Sequence, residues 1–208
     1  MKQALTALIL GLGVLSPLLA RAQELGAKGE GVLSADRLMG ISANRISGEL
    51  GAATYRNDFT SFSFGWRTAP DNSPFDIPRL AFDYMVISHL SIGGAIGDVS
   101  HDGDANDSSS FIVAPRIGYA YAFGRVVGIW PRGGFTYHST SVDNAYDEKG
   151  FAFTAECPFT FSPAQHFALH VGPTFDIDMF GDRDPSPINK GDRTYRTFGL
   201  NAGLLGWF

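Results

Sequence analysis

Cysteine is almost missing from this chain of 208 residues, since Cys157 is the single example. One cysteine cannot form an intramolecular disulfide, so the fold is not a disulfide scaffold. No cysteine lies at or near the end of the first 22 residues, which excludes a lipoprotein anchor. Basic residues are also few, with 16 Lys and Arg against 21 Asp and Glu. This acidic balance argues against nucleic acid as a partner, because phosphate binding needs a basic patch.

Long apolar runs are missing after the first 22 residues, so no later segment has the character of a membrane-spanning helix. The longest mature stretch without Asp, Glu, Lys or Arg is Cys157 to Phe175, and it contains three prolines and two histidines. Helical patterns rich in Ala and Leu are scarce as well. Aromatic residues and glycine are abundant instead, with 17 Phe, 7 Tyr and 25 Gly. This composition favours β-structure.

The first 22 residues have the layout of a secretory signal peptide. Lys2 supplies the positive charge, Ala4 to Ala20 is largely apolar, and Ala20-Arg21-Ala22 is a small-x-small cleavage site. An N-terminal membrane anchor is the alternative, which the short run and Pro17 disfavour. We therefore predict a signal peptide over 1–22 and one domain over 23–208, with a net charge of −7.

The mature chain alternates apolar and polar residues over long segments. The clearest are Phe151 to Phe161, Phe167 to Met179 and Phe198 to Phe208. A soluble antiparallel sheet and a membrane barrel both alternate in this way. The segments exceed the usual soluble strand of about 5 to 6 residues, and their polar faces carry small residues and isolated charges. Both features favour a closed, antiparallel transmembrane β-barrel.

Short and long connections also alternate, as in outer-membrane barrels. Three are tight: Ser88-His89, Phe123 to Arg125 and Ser162 to Gln165. Four are longer and polar: Asn57 to Asp76, His101 to Ser109, Thr140 to Lys149 and Gly181 to Arg193. We predict eight strands near 31–41, 77–87, 90–99, 110–122, 126–139, 150–162, 166–180 and 194–208. Phe59 to Arg67 also alternates, and we place it in the first long loop as an extension beyond the membrane.

A short repeat supports this arrangement. Pro78-Arg79, Pro115-Arg116 and Pro131-Arg132 each begin a similar seven-residue segment, in which the Arg lies on the polar face and two aromatics lie on the apolar face. Proline lacks an N–H group for the ladder of a closed barrel. We therefore expect bulges or strand ends at Pro115, Pro131, Pro158 and Pro173.

With these features the sequence resembles the small outer-membrane β-barrel proteins, the broad class that contains outer membrane proteins A, X and W. The resemblance covers roughly 31–208 and implies residence in the bacterial outer membrane as a monomer surrounded by lipid. It also implies that a C-terminal aromatic with alternate apolar residues marks the last strand for the barrel-assembly machinery. Those residues are Phe198, Leu200, Ala202, Leu204 and Phe208. No separate peptidoglycan-binding domain is expected.

The inward-facing charges are the candidate site. They are Arg79, Asp83, Arg116, Arg132, Glu156, Asp176 and Asp178. A hairpin centred on Gly124 would put Arg116 opposite Arg132, and a loop centred on Asn144 would put Glu156 beside Arg132. An Arg–Glu–Arg row would reduce the repulsion between the two cations. The row either plugs the lumen or lines a selective channel. A plug is favoured because an eight-stranded barrel has room for little more than side chains.

A metal site is not expected. Asp102, Asp104 and Asn106 have the spacing of a calcium-binding loop, but Asp107 stands where such a loop needs Gly and Val113 where it needs Glu. A solvated acidic loop is the favoured interpretation. No P-loop, zinc spacing or dinucleotide fingerprint occurs, so no cofactor is expected.

An active site is not expected either. His138 and Ser139 are adjacent on a strand and therefore point to opposite faces. His170 and Asp176 or Asp178 share a face but lie about 20 Å apart along a strand. Cys157 falls on the lipid face. The favoured function is a non-enzymatic barrel with a structural or surface-interaction role. The alternatives are a narrow porin or conduit for small solutes, and a lipid-modifying enzyme with a nucleophile–base pair at the lipid boundary.

Overall fold

Antiparallel β-strands dominate the part of the chain that a computed structural model describes, which is residues 25–50, 53–65, 73–101, 107–143, 146–185 and 191–208. In chain order the strands are β1 (Gly31–Leu50), β2 (Ala53–Phe64), β3 (Arg79–Ile87), β4 (Leu90–His101), β5 (Ser108–Tyr119), β6 (Tyr121–Ala122), β7 (Val127–Ile129), β8 (Arg132–Val142), β9 (Tyr146–Glu156), β10 (Phe159–Ala164), β11 (Phe167–Pro185) and β12 (Gly191–Trp207). A 3-10 turn at Pro74–Asp76 precedes β3. No helix in these ranges is long and apolar enough to cross a membrane. The predicted signal peptide, positions 102–106 and Asn144 lie outside the described residues.

The strands close into a barrel with eight antiparallel segments in its wall, as predicted. Three segments consist of two strands in line, namely β5 with β6, β7 with β8, and β9 with β10. The last strand, β12, pairs with β11 on one side and with β1 on the other, which closes the wall. This pairing closes the ring of strands and gives most backbone groups of the wall internal partners, as a membrane requires.

Two of the three breaks between strands in line coincide with prolines, as expected at Pro131 and Pro158. The expectation is wrong at Pro115 and Pro173, because β5 and β11 continue through these residues with no register shift. Pro131 separates β7 from β8, and Pro158 separates β9 from β10. Neighbouring backbone groups still find partners at these breaks. The amide of Trp130 donates to the carbonyl of Pro158 at 2.9 Å, and the amide of Cys157 donates to the carbonyl of Pro173 at 3.0 Å. The prolines thus interrupt the ladder locally while the wall continues.

The three tight turns lie at one end of the barrel, but only the first, Ser88-His89, has its predicted bounds. The second covers 123–126, one residue more than predicted, and the third is shifted. β10 continues to Ala164, so the turn is Gln165-His166 and not Ser162 to Gln165. His166 adopts a φ of 60°, which closes a two-residue turn. His89 does the same in the first turn, with a φ of 71°.

At the other end the strands run further than predicted. β8 and β9 pair as far as Val142 with Tyr146, and β9 pairs with β11 up to Pro185. The predicted long loops 140–149 and 181–193 are therefore mostly strand. Their polar composition is typical of loops, but cross-strand partners such as Ser141 and Asp147, which share a 2.6 Å hydrogen bond, extend the ladder.

The prediction that 57–76 form a loop is also wrong. β2 pairs with the upper part of β1, from Met39 with Phe64 to Leu50 with Ala53. It takes the edge of β1 that β3 occupies lower down, between Gly31 and Asp36. The chain then turns inward, and residues 73–78 are buried.

The two faces of the wall differ as in a membrane barrel. On β3 the outward residues Leu80, Phe82 and Tyr84 are 46–55 % exposed, while Ala81 and Asp83 between them are buried. At the end with the tight turns, the interior is closed by an apolar cluster of Leu25, Val32, Met85, Ala120, Trp130, Ala168, Leu205 and Trp207. Above that cluster the interior is charged.

Candidate functional site

A β-bulge in β1 begins the charged layer of the interior. The register of β1 against β12 shifts between Ala35 and Met39, so three residues of β1 stand against one of β12. Arg37 adopts a left-handed φ of 54° inside the bulge. Asp36 and Arg37 are consecutive, yet both are buried. Successive side chains of a regular strand point to opposite faces, so the bulge is what turns both inward.

Arg37 joins three parts of the molecule. Its Nη1 donates to Asp176 on β11 at 2.9 Å, and its Nη2 donates to Glu156 on β9 at 2.9 Å. Its Nη1 also donates to the backbone carbonyl of Phe75 at 2.7 Å. Asp176 accepts a further hydrogen bond from the hydroxyl of Thr154 at 2.7 Å. These charge-assisted bonds satisfy most of the guanidinium donors.

Arg116 and Arg132 bind the remaining carboxylates. Arg116 lies 2.5 Å from Asp83 and 2.5 Å from Asp36. Arg132 lies 2.8 Å from Glu156 and 3.3 Å from Asp36. Each carboxylate of this set contacts at least one guanidinium. Asp36 bridges Arg116 and Arg132, and Glu156 bridges Arg37 and Arg132 and lies 3.8 Å from Arg116.

We call this set the lumen charge network: Asp36, Arg37, Arg79, Asp83, Arg116, Arg132, Glu156 and Asp176. The ion-paired side chains are no more than 7 % exposed, and Arg79 is 2 % exposed. Four guanidinium groups thus balance four carboxylates. Arg79 has no carboxylate within ion-pair distance among the described residues, and its Nη2 lies 3.4 Å from the carbonyl of Phe75. Balance of this kind offsets the high desolvation cost of buried charge.

The six predicted lumen residues Arg79, Asp83, Arg116, Arg132, Glu156 and Asp176 are all in this network. The pairing of Arg132 with Glu156 has the register expected for a loop centred on position 144. The predicted pairing of Arg116 with Arg132 is wrong, because Arg116 pairs with Gly134 and Arg132 pairs with Gly118. The hairpin is centred on position 125, since Ala122 pairs with Gly128, and this moves the register by two residues.

Residues 73–78 enter the barrel above the network, and we call them the inserted segment. Phe75 is fully buried and makes edge contacts with the rings of His138 and Tyr195. Asp76 accepts hydrogen bonds from Ser61 on β2 and, at 3.3 Å, from Asn44 on β1. The segment is thus bound to the wall by polar contacts and to the network through the Phe75 carbonyl.

Two histidines of the interior also contact carboxylates. His138 Nε2 lies 3.0 Å from Asp178, whose other oxygen accepts the amide of Tyr195 at 2.8 Å. His170 Nε2 lies 3.0 Å from Asp36. Sequence reasoning rightly separated His170 from Asp176 and Asp178, but it did not find Asp36.

Asp36 and Arg37 are the principal residues that sequence reasoning missed. Two adjacent charges in an alternating strand were the available signal. One of them must face lipid unless a bulge intervenes, and lipid exposure of a charge is costly. The adjacency of Asp36 and Arg37 therefore pointed to a bulge.

The C-terminal residues predicted to guide assembly lie on the outer face of β12. Phe198, Leu200, Leu204 and Phe208 are 40–71 % exposed. The backbone of Phe208 exchanges two hydrogen bonds with Gly31, both at 3.0 Å, so the last residue closes the seam with β1. Their role in assembly stays a prediction.

No group of three or more His, Cys, Asp or Glu side chains among the described residues is arranged to hold a metal ion. Apart from Arg79, the charges of the network are paired with one another. The interior therefore offers compensated charge and close packing, and its chemistry is that of hydrogen bonds and ion pairs.

Comparisons with known proteins agree with the fold. No protein-family model matches the chain, and no curated protein matches it. Among solved structures, the outer membrane protein OprG from Pseudomonas aeruginosa has a TM-score of 0.58 at 11 % identity, covering 89 % of this chain and 99 % of that one. Neisserial surface protein A has a TM-score of 0.49 at 12 % identity, covering 87 % and 98 %. The outer membrane protease OmpT from Escherichia coli has a TM-score of 0.44 at 8 % identity, covering 86 % and 97 %.

At such identities the likeness shows the fold, and the match to OprG is the one that carries weight. The chain has the fold of a small outer-membrane β-barrel, as the sequence resemblance implied. An apolar outer face and a closed wall agree with the predicted location in the bacterial outer membrane.

Proposed function

We propose that this chain is a non-enzymatic outer-membrane barrel with a structural or surface-interaction role, and that its lumen is plugged by charge. The lumen charge network carries the proposal. Its four guanidinium groups and four carboxylates span the interior from β1 to β5, β8, β9 and β11. An eight-stranded barrel is just wide enough for side chains to fill. Interlocked ion pairs therefore leave little space for a continuous water path.

The inserted segment supports the same role. Arg37 binds its Phe75 carbonyl while it also binds Glu156 and Asp176, so the segment and the network stabilise each other. Below the network, the apolar cluster around Trp130 and Trp207 closes the end with the tight turns. Three successive layers thus oppose the passage of ions.

Conductance in planar bilayers tests this proposal. We expect the purified barrel to show no single-channel steps. Replacing Arg116, Arg132 and Glu156 together with Ala should open a measurable conductance, because three large side chains leave the network. Lys149→Ala, which removes an exposed charge on the outer face of β9, is the matched control. Steps in the wild-type barrel that the triple replacement leaves unchanged would contradict the plug.

One observation favours a conduit for small solutes as the second candidate. β3 begins at Arg79, and its pairing with β4 ends at Leu80 with Ile96. Above that point the edge of β4 has no strand partner among the described residues, while β2 occupies the edge of β1. A sideways path behind the inserted segment would follow from this interruption. Liposome-swelling assays with small sugars and small apolar solutes would reveal it as uptake without ion conductance.

A lipid-modifying enzyme is the weakest of the three candidates. His138 is fully buried against Asp178 in the interior, and the adjacent Ser139 is on the other face of β8. A nucleophile and a base at the lipid boundary would have to meet on one face. The partners we propose are outer-membrane lipid and, during biogenesis, the barrel-assembly machinery, with the finished barrel acting as a monomer that binds no nucleic acid.

A further inference from the structure

The outer face of β12, β1 and β2 changes from apolar to cationic within one row of residues. Phe198 on β12 pairs with Ala43 on β1, which lies in the apolar part of the wall. Two residues further from the tight turns, Arg196 pairs with Arg45, and Arg45 pairs with Asp58 on β2. The outward position after that on β2 is Arg56. We call Arg45, Arg56 and Arg196 the arginine cluster.

The arginine cluster carries more positive charge than its surroundings neutralise. Arg45 and Arg56 share one carboxylate, Asp58, which is 2.8 Å from each. Hydrogen bonds from Arg56 and Arg45 lower the pKa of Asp58 to about 2, so it remains ionised at neutral pH. Arg196 is exposed and has no ion-pair partner among the described residues. Among the side chains that the structure describes on this face, three guanidinium groups stand against one carboxylate.

Such a cluster is electrostatically unfavourable by itself. Arg45 and Arg196 are directly opposite on neighbouring strands, where like charges repel. The mature chain as a whole is acidic, so the repulsion is not a general feature of its surface. A bound anion would remove it, and the planar fork of arginine binds phosphate through two parallel hydrogen bonds.

The height of the arginine cluster identifies the kind of anion. The cluster lies towards the end of the barrel opposite the tight turns, which in outer-membrane barrels is the cell-surface end. It stands directly above the exposed side chains of Phe198, Leu200, Ile41 and Phe62. A position just above the apolar band is the level of the lipid headgroups in the outer leaflet.

An apolar groove lies below the cluster; it shares β1 and β12 with the cluster and extends from them over β11, β10 and β7. It has a volume of about 510 Å³, and its lining includes Met39, Val171, Ala202 and Leu204. Ala202 is six residues below Arg196, or about 20 Å along a strand. On a strand tilted by about 40° in an apolar band about 25 Å tall, this depth is near the middle of the membrane. An acyl chain that hangs from a headgroup at the cluster would enter the groove.

We propose that the arginine cluster and this groove form a binding site for a phosphorylated glycolipid of the outer leaflet. The guanidinium groups of Arg45, Arg56 and Arg196 bind the headgroup phosphate, and the groove binds one acyl chain. The site is on the outer wall and does not depend on whether the lumen is plugged.

Titration of the purified barrel in detergent with bisphosphorylated lipid A, followed by thermophoresis, tests the site. We expect Arg196→Gln and Arg45→Gln each to weaken binding about tenfold, the effect of losing one charge-assisted hydrogen bond. Arg196→Lys should lose less, because it keeps the charge without the bidentate fork. Lys149→Gln, at an exposed position on β9 two strands away from β12, should change binding less than about twofold.

Two further probes identify the source of the phosphate. Dephosphorylated lipid A should bind at least about tenfold more weakly than the phosphorylated lipid. Inorganic pyrophosphate should compete poorly, because it lacks the acyl chain. Heat-modifiable migration confirms that each variant is folded. Equal binding of free pyrophosphate, or an equal loss with Lys149→Gln, would overturn the site, since either shows general attraction of anions.

Discussion

At the scale of single residues, Arg37 connects several parts of the barrel interior through its hydrogen bonds. It donates to two carboxylates and one backbone carbonyl from a left-handed backbone conformation. Non-glycine residues in this conformation are strained by about 1–3 kcal/mol. Three charge-assisted bonds in a site of low dielectric constant exceed that cost. The strain at Arg37 is therefore maintained by the contacts that it makes possible.

Glu156 provides the first test at this scale. In the wild type its carboxylate lies 2.9 Å from Arg37 and 2.8 Å from Arg132. Replacement of Glu156 with Ala removes this carboxylate from both arginines. Breaking a buried pair typically costs about 3–5 kcal/mol. We expect Glu156→Ala to lower the thermal unfolding midpoint in detergent clearly, as followed by heat-modifiable migration. Asp98→Ala, at an exposed position on β4, should stay within about 0.5 kcal/mol of the wild type.

An unchanged midpoint for Glu156→Ala would mean that the network contributes nothing to stability. Exchanging the charges of Glu156 and Arg132 should restore only part of the loss. The new arginine at 156 would then face Arg37, which the exchange leaves in place. The exchange thus measures how much the Arg132 contact contributes to stability, separately from the Arg37 contact.

At the scale of elements, the bulge in β1 decides which side chains face the lumen. Inward residues occupy even positions both below and above it, as Ser34 and Ser42 show. Even-numbered side chains therefore point inward on both sides of the bulge, because the bulge adds two residues to β1 and not one. The inserted Arg37 is consequently the extra inward side chain.

Deletions at the bulge test this account. Removing Leu38 alone leaves Asp36 and Arg37 against one residue of β12, which is an ordinary bulge, so both parts of β1 keep their faces and the barrel should fold. Removing Arg37 and Leu38 together also keeps these faces and should give a folded barrel with a lower unfolding midpoint. Heat-modifiable migration after refolding measures both. A double deletion that fails to fold, or that has the wild-type midpoint, would contradict this account of the bulge.

At the scale of the whole molecule, the asymmetry of the two ends predicts orientation. The tight turns, such as 88–89 and 165–166, should face the periplasm, and the other end of the barrel, where Asp107 and Asp143 are exposed, should face the medium. In a Cys157→Ser background, a cysteine placed at Asp107 or Asp143 should react with a membrane-impermeant maleimide on intact cells. A cysteine at Arg125, in the turn between β6 and β7, should react only after the outer membrane is permeabilised. Labelling in the opposite pattern would invert the topology.

The sequence by itself determined the class of fold, the eight wall segments and the faces of their residues. These depend on a period of two residues, which is a local property that each strand carries regardless of its neighbours. Arg79, Asp83, Arg132, Glu156 and Asp176 were thus identified as inward before their partners were known. The strand breaks at Pro131 and Pro158 could be predicted in the same way, because the missing N–H is a property of the residue itself.

Apart from the contact of Arg132 with Glu156, which the expected loop centre predicted, only the tertiary structure decided which charges meet. Register depends on where each hairpin is centred, and a centre one residue from the expected one separated Arg116 from Arg132 by two positions. The bulge that brings Asp36 to Arg116 arises between strands distant in sequence. The path of the inserted segment, which brings the Phe75 carbonyl to Arg37, follows from β2 taking the upper edge of β1. Such contacts are set by pairing across the closed wall, where local periodicity says which face a residue takes but not which residue it meets.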